Sequence, residues 1–473
     1  MARVRPKLVW LDDCMLRCLR MMRRGLQLAW ALAALALGTA CSDHHTSSAT
    51  TPVPNAENQD PLPPTTETLV GEVNALGEAN VAWVRTLPGE LAGPPEVARG
   101  PGNELVVLLT AERRPLGTKR YLDDVLLLRL DADTGALRWL KVVEPGAKVA
   151  LDTQGNIILA WPTRIEKLDA DGELLWDRPR QAGNAYELVS LAVDSNDDLL
   201  LARLELDQSP GAIGRDPKGF VELEKLDAMG NPLWSSRFGD GASYLEAIWV
   251  AVDLENNPLL LAGGLKGPFD FGGGMLEDED VVAKYDSAGN HLFSKAFGGY
   301  GPVGYQGSSP VLADADGNIF VRTESVGDID VGLGSFFCGR EYVIKLDPTG
   351  KPLWNICAAA KDLTLTPDGG FIAGSTLQRA GQVGQQQCAV SDATAEGSEA
   401  VLARYDADGN WLTTQCAADP GYQSAGAVAA DGSGMFFMTG AFTVQLSLPG
   451  GSIVEALDER YTALIAKVTL PVP

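Results

Sequence analysis

The chain has 473 residues, 45% of them hydrophobic, with 52 glycines, 28 prolines and a formal net charge of −24. That acidity repels phosphate backbones and anionic headgroups, so nucleic acid is excluded as a partner and so is membrane binding through surface charge. A large apolar fraction with frequent Gly and Pro fits many short strands joined by turns.

The amino end reads as an address. Met21-Met22-Arg23-Arg24 is a short basic start, and an apolar run from Leu28 to Gly38 follows. The run is too short for a helix to cross about 30 Å of hydrocarbon; it has the proportions of a signal-peptide core. It ends in Leu37-Gly38-Thr39-Ala40-Cys41. This resembles the lipobox of bacterial lipoproteins, with Gly38 standing where the family usually carries a Leu-like residue. The resemblance implies acylation of Cys41, which becomes the new amino terminus, and Ser42 behind it implies sorting to the outer membrane. Ordinary cleavage after Ala40 would leave Cys41 an unmodified thiol; either route exports the protein. Residues 1–40 are thus expected to be removed. Asp12 and Asp13 interrupt residues 1–20, so translation is expected to start at Met21 or Met22. Removal leaves 31 basic against 60 acidic residues.

Residues 41–72 comprise the lipidated cysteine and a tether rich in Ser, Thr, Pro, Asn and Glu. Such a segment buries too little apolar surface to offset its ordering entropy. His44 and His45 lie within it and read as solvated linker.

Residues 73–473 carry a repeat. Its clearest phrase is Lys167-Leu-Asp-Ala-Asp-Gly-Glu-Leu-Leu-Trp176, with copies at Lys225 to Trp234, Lys284 to Phe293 and Lys345 to Trp354, and looser ones at Arg129 to Trp139 and Arg404 to Thr413. Each predicts a strand, a tight turn and a returning strand; Asp caps the turn and Gly supplies a positive φ. A second phrase follows each, as in Val149-Ala-Leu-Asp152-Thr-Gln-Gly155-Asn156 and Val311-Leu-Ala-Asp314-Ala-Asp316-Gly317-Asn318. It predicts another hairpin. The basic residue recurs at 129, 167, 225, 284, 345, 404 and 467, at spacings of 38 and then 58 to 63. Four strands per period without helical periodicity predict propeller blades. Leu464 to Val468 has the strand before the turn and Val81 to Arg85 the strand after it. The two ends therefore complete one another, and the expected fold is all-β: a seven-bladed propeller of four-stranded blades with N/C-terminal closure. Trp83, Trp139, Trp176, Trp234, Phe293 and Trp354 share one register and are expected between blades.

Phe269-Asp-Phe-Gly-Gly-Gly274, Val282-Ala-Lys-Tyr-Asp-Ser-Ala-Gly-Asn290 and Phe297-Gly-Gly299 resemble the bacterial beta-propeller repeat (SBBP) family. The resemblance spans about residues 79–470 and is strongest in 220–320. It implies an extracytoplasmic propeller and no defined ligand.

Four cysteines lie in the repeat region: Cys338, Cys357, Cys388 and Cys416. They allow three pairings. Cys357 and Cys416 hold equivalent places after their turns, and folding each hairpin brings Cys338 toward Cys357 and Cys388 toward Cys416. Those two disulfides are expected, rather than a four-cysteine metal site.

No catalytic constellation emerges. Gly299-Tyr-Gly-Pro-Val-Gly304 has the spelling of a dinucleotide fingerprint without the helix that would bind the phosphates. Asp314-Ala-Asp316-Gly-Asn318 reads as a capped turn rather than a calcium loop. His291 is the one histidine outside the tether, too little for a Ser-His-Asp triad. No catalytic residue, metal or cofactor is expected, although paired carboxylates depend on three-dimensional placement. A binding site is expected on irregular connections, namely Asp207 to Gly219, Lys266 to Asp280, Gly298 to Ser309 or Gln378 to Ser398. The reading is an exported outer-membrane lipoprotein, monomeric and held to the membrane by its lipid alone. It would act as an interaction scaffold for a protein or glycan at the cell envelope. The rival is a propeller enzyme or carbohydrate-binding module using the axial pocket.

Overall fold

The computed structural model describes residues 80–470, apart from 89, 92–94, 101, 114–121, 181–186, 208–217, 240–242, 244, 277–279, 298–309, 326, 339–340, 391–396 and 458–460. The expected signal peptide, Cys41 and the tether lie outside the described residues.

The described residues form seven antiparallel blade sheets, three two-stranded ribbons and no helix. Blade two shows the plan: Lys148–Leu151, Ile157–Trp161, Arg164–Leu168 and Leu174–Pro179 hydrogen-bond in that order. Blade one covers 96–143, blade three 187–238, blade four 247–297, blade five 311–357 and blade six 362–416. We call the four strands of each blade a to d, from the first in this order to the last. Strands a of adjoining blades touch from blade one to blade five and from blade six to blade seven, and strand a of blade seven, Gln423–Ala430, touches strand a of blade one, Glu96–Arg99, which closes the ring.

Blade seven is composite. Gln423–Ala430, Phe436–Phe442 and Thr462–Val468 come from the carboxyl end, and Val81–Pro88 supplies strand d. Val81 pairs with Val468 and Pro88 with Thr462. The repeat phrases are offset by half a blade from the structural unit. The Asp152 turn joins strands a and b, and the Lys167 phrase that comes after it supplies c and d of the same blade. Glu104–Arg113 accordingly belongs to blade one.

Every strand has one face toward each neighbouring blade, so apolar residues fill both faces, and the core is a set of layers between blades. Between blades five and six, Phe320 and Val343 meet Phe371, Ala373 and Val401.

Two polar devices repeat inside these layers. The aspartate that ends strand a turns its Oδ1 to the backbone N–H groups two and four residues on, as Asp253 does with Glu255 and Asn257 at 3.0 and 2.8 Å. Its Oδ2 accepts from the buried lysine of strand c: Lys167–Asp152 at 2.8 Å, Lys225–Asp194 at 2.7 Å, Lys284–Asp253 at 2.8 Å, Lys345–Asp314 at 3.3 Å and Lys467–Asp431 at 3.1 Å. Blades one and six use Arg129–Glu104 and Arg404–Asp368. The same ammonium reaches the c–d turn of the next blade: Lys284 donates to the Pro348 carbonyl at 3.4 Å and Lys345 to that of Ala407 at 3.3 Å. Burial works to raise the Asp253 carboxyl, but Lys284 and Asn257 outweigh it and hold it below the usual carboxylate range.

The aromatic register latches blades together. Trp83, Trp139, Trp234 and Trp354 donate their indole N–H to the c–d turn carbonyls of Ala132, Ala170, Ser287 and Ala407, each in the next blade. The rings lie on the glycine of that turn. At Gly350, φ is +83° and a Cβ would stand 2.7 Å from the Phe293 ring, so glycine is needed there for both backbone and space.

Replacing Lys284 by alanine leaves the Asp253 carboxylate buried without its cation, at a cost of about 3–5 kcal/mol in unfolding free energy. The double replacement Lys284→Ala with Asp253→Asn is expected to cost less. Urea unfolding measures both, and equal losses would show that the charge is not the source.

Candidate functional site

The two ends of the propeller differ. The a–b and c–d turns gather at one end, short and capped by aspartate. The b–c connections and the links between blades lie at the other. Of the four connections singled out in the sequence, Asp207 to Gly219, Lys266 to Asp280 and Gln378 to Ser398 run from b to c, and Gly298 to Ser309 joins blades four and five. All four therefore leave from the loop end. Residues 208–217 and 298–309, including Gly299 to Gly304, lie outside the described residues.

In blades four to seven the b–c connection folds back on itself. Phe269–Asp270 pairs with Met275–Leu276, Ile329 with Phe336, Gly381–Val383 with Gln386–Cys388, and Gln445–Ser447 with Ile453–Glu455. The glycine segment of the repeat makes the first two of these. Asp270 accepts from the N–H groups of Gly272 and Gly274, and Asp330 from those of Gly332 and Gly334. His291 lies over the first turn and its Nε2 is 2.7 Å from Ser294 Oγ. Its ring belongs to the packing of that turn.

Both disulfides are at the loop end. Cys338 is bonded to Cys357 and Cys388 to Cys416, with Cα atoms 5.2 and 5.7 Å apart. The first ties the b–c connection of blade five to its strand d. The second ties the ribbon of blade six to its own strand d.

The first disulfide borders a cleft of about 900 Å³. Its lining mixes apolar residues (Cys338, Cys357, Ala358, Ala359, Leu377 and Val383) with polar ones (Glu324, Glu341, Lys361, Thr376, Gln378, Arg379, Gln382 and Tyr405). Strand a contributes none of these residues, so the cleft is off the propeller axis. Glu324 and Glu341 are direct cross-strand partners, an arrangement that like charges disfavour. Arg322, fully buried, places Nη1 3.2 Å from Glu324 Oε1 and donates to the Ala360 carbonyl at 3.4 Å. Glu341 Oε2 accepts the Ala360 N–H at 2.9 Å. Burial, and then the Glu324 charge, push the Glu341 carboxyl upward against the pull of Arg322. Burial and the Glu341 charge push the Tyr405 hydroxyl up to about 12. The Tyr405 ring stacks on Phe371 at 4.6 Å.

A second buried acid sits one blade on. Glu399 is inaccessible to solvent, and its Oε1 accepts the N–H of Ala418, a residue held at φ +52°. Glu399 Oε2 and the buried Gln423 Oε1 find no donor among the described residues. Burial, and then Asp419, raise the Glu399 carboxyl to about 7.

The remaining sequence candidates serve the fold. Asp314 gives Oδ1 to the N–H groups of Asp316 and Asn318 and Oδ2 to Asn318 Nδ2 and Lys345, so both oxygens are occupied by the turn. Among the described residues no three His, Cys, Asp or Glu side chains converge as a metal site. The carboxylates of the cleft escaped the sequence reading, because nothing in a run of glutamates shows which two face each other across strands b and c.

No family model matches the chain, and no curated protein sequence matches it. Among solved structures it is similar to a Bacteroides caccae protein of unknown function, at 14% identity over 62% of this chain and 89% of that one with a TM-score of 0.36. It is similar to the Neurospora crassa Pan2 WD40 domain at 8% identity, over 79% and 89%, with a TM-score of 0.44. A Xanthomonas campestris gluconolactonase aligns at 13% identity over 84% and 94%, with a TM-score of 0.33. At such values these likenesses carry no argument about activity.

Two outcomes are expected here. Glu399 is raised in the folded state from about 4.3 in the unfolded chain, so its contribution is present below that value and lost as pH rises through about 7. The melting temperature should fall between about pH 5 and pH 8, and Glu399→Gln, neutral throughout, should reduce that fall; an unchanged slope assigns it to other groups. Replacing Cys388 and Cys416 together by serine should lower the unfolding free energy by about 3 kcal/mol, read by chemical denaturation.

Proposed function

We propose that this chain is an exported, lipid-anchored propeller that serves as an interaction scaffold at the cell envelope, with the loop end as its binding surface. The observation that carries the reading is the contrast between the two ends. One end consists of short turns whose polar groups are consumed by aspartate caps and buried lysines. The other presents the roots of the longer b–c connections, the links between blades and both disulfides. Loops on a rigid frame are where recognition residues are free to vary.

The address supports the compartment. A basic start, a short apolar run and Cys41 resemble a lipoprotein signal, and the SBBP-like phrases resemble an extracytoplasmic repeat family. Two disulfides suit an oxidising compartment. Acylated Cys41, a tether to about residue 72 and the propeller beyond it would hold a monomer near the outer membrane by lipid alone. A chain of net charge −24 favours a protein or glycan partner over nucleic acid. Use of an axial pocket, the rival reading, draws no support from the cleft, which is off the axis.

The test is the intact mass of the protein isolated from bacterial membranes, with alkylation in the absence of reductant. A species that begins at Cys41, carries acyl chains and takes up no alkylating agent is expected. An unlipidated species or free thiols would overturn the anchored reading.

A further inference from the structure

We infer that the link between blades six and seven, residues 417–422, is a proton-operated latch on the seam where the ring closes. The inference rests neither on the lipid anchor nor on a partner.

Two buried acids hold the link. Glu399, at the start of strand c of blade six, accepts the N–H of Ala418. Asp419, the next residue of the link, fastens the ribbon of blade seven. Its Oδ1 accepts from Gln445 Nε2 at 2.8 Å and Ser447 Oγ at 2.9 Å, and its Oδ2 accepts the N–H of Ser447. The ribbon in turn packs on the seam. Its Leu446, Leu448 and Val454 share one buried layer with Val81 and Val84 of the closing strand. The contacts run in series, from Glu399 through the link to the ribbon and on to Val81–Pro88.

Glu399 is built to gain and lose a proton. Its Oε2 finds no donor among the described residues, and no basic side chain among them pairs with it. Strand b of its blade (Phe371–Leu377), the ribbon strands (Gly381–Val383 and Gln386–Cys388), strand d (Trp411–Cys416) and strand a of blade seven carry no titrating side chain, because both cysteines are in their disulfide. Tyr422 on the link packs against Tyr461. Asp362, at the start of strand a of blade six, turns its Oδ2 to the Val428 N–H, and Lys361 before it lines the cleft with Glu341. Strand alternation puts Arg322, Glu324 and Glu341 of blade five on the face opposite. The charge that acts on Glu399 is that of Asp419.

That like charge sets the direction. With its proton, Glu399 keeps a carbonyl oxygen for Ala418 and brings no charge against Asp419. Without it, a second buried negative charge stands near the first, and such pairs repel. Moving Asp419 away relieves the repulsion and takes from Gln445 and Ser447 their acceptor. Burial and Asp419 raise the Glu399 carboxyl to about 7. The latch is therefore fastened in mild acid and loosens as pH rises through that value.

Hydrogen exchange read by mass spectrometry from about pH 6 to pH 8, corrected for base catalysis, tests this. In the wild type, protection of segments 445–455 and 81–88 is expected to fall about fivefold or more, while segment 157–168 of blade two holds. Glu399→Gln keeps an acceptor for Ala418 without a titrating proton, and both segments should then keep their protection across the range. The infrared carbonyl band of a protonated carboxylic acid reads the proton in the wild type alone. It should fade over the same range and be missing from Glu399→Gln. Protection that is independent of pH in both segments, protection that falls equally in Glu399→Gln, or a wild type without that band would overturn the latch.

Discussion

The interaction on which the structure depends is the buried ammonium of strand c. In blade four, Lys284 closes a triangle with Asp253 of its own blade and the Pro348 carbonyl of the next. Buried charge costs several kcal/mol unless it is paired and fully hydrogen-bonded. Here the pairing requires three separate elements to be in register: strand c, the a–b turn and the neighbouring c–d turn. A blade displaced by one residue, or swung from its neighbour, would leave both ions exposed to an apolar layer. The pair therefore acts on specificity more than on gross stability, and it recurs around the ring. The aromatic ring over the next blade's turn glycine adds shape to the same joint. Where the tryptophan is replaced by phenylalanine, at Phe293, the contact with Gly350 persists without the indole hydrogen bond.

Much of this was legible before any coordinates. The basic residue, the turn aspartate, the positive-φ glycine and the aromatic all recur at one spacing, so blade number, strand number and closure followed from arithmetic on the repeat. Cys357 and Cys416 could be placed by their distance from the turn glycines. Sequence order misled in one respect. Consecutive phrases look like one unit, yet the hairpin that opens a blade is the phrase written second, because strand c pairs back onto strand b. The ammonium–carboxylate pair was visible only as two separate repeating residues. Their partnership needs the sheet to bring positions 253 and 284 together.

The cleft was not legible at all. Glu324 and Glu341 belong to strands separated by an irregular connection, and their meeting depends on register in blade five. The departure from the repeat is itself informative. Where blades two to five place lysine at the end of the layer nearest the turns, blade five adds Arg322, Glu324 and Glu341 at the end nearest the loops. These polar groups stand beside an apolar layer that continues through Phe320, Val343 and Phe371, and each disulfide lies within its own blade, bracing that blade rather than the joint.

The composite blade has a consequence in time. Strand d of blade seven, Val81–Pro88, is made before every other described strand, and its partner Thr462–Val468 is the last of them. For nearly the whole of synthesis the first strand has no hydrogen-bonding neighbour, while strands that emerge after it are already pairing into blades. It is an unprotected β edge throughout that interval. Joining it is a contact between the far ends of the chain, slow by its sequence separation. The ring can therefore lock only as a final event, and a nascent chain held open at that seam is the species a chaperone or a protease would meet.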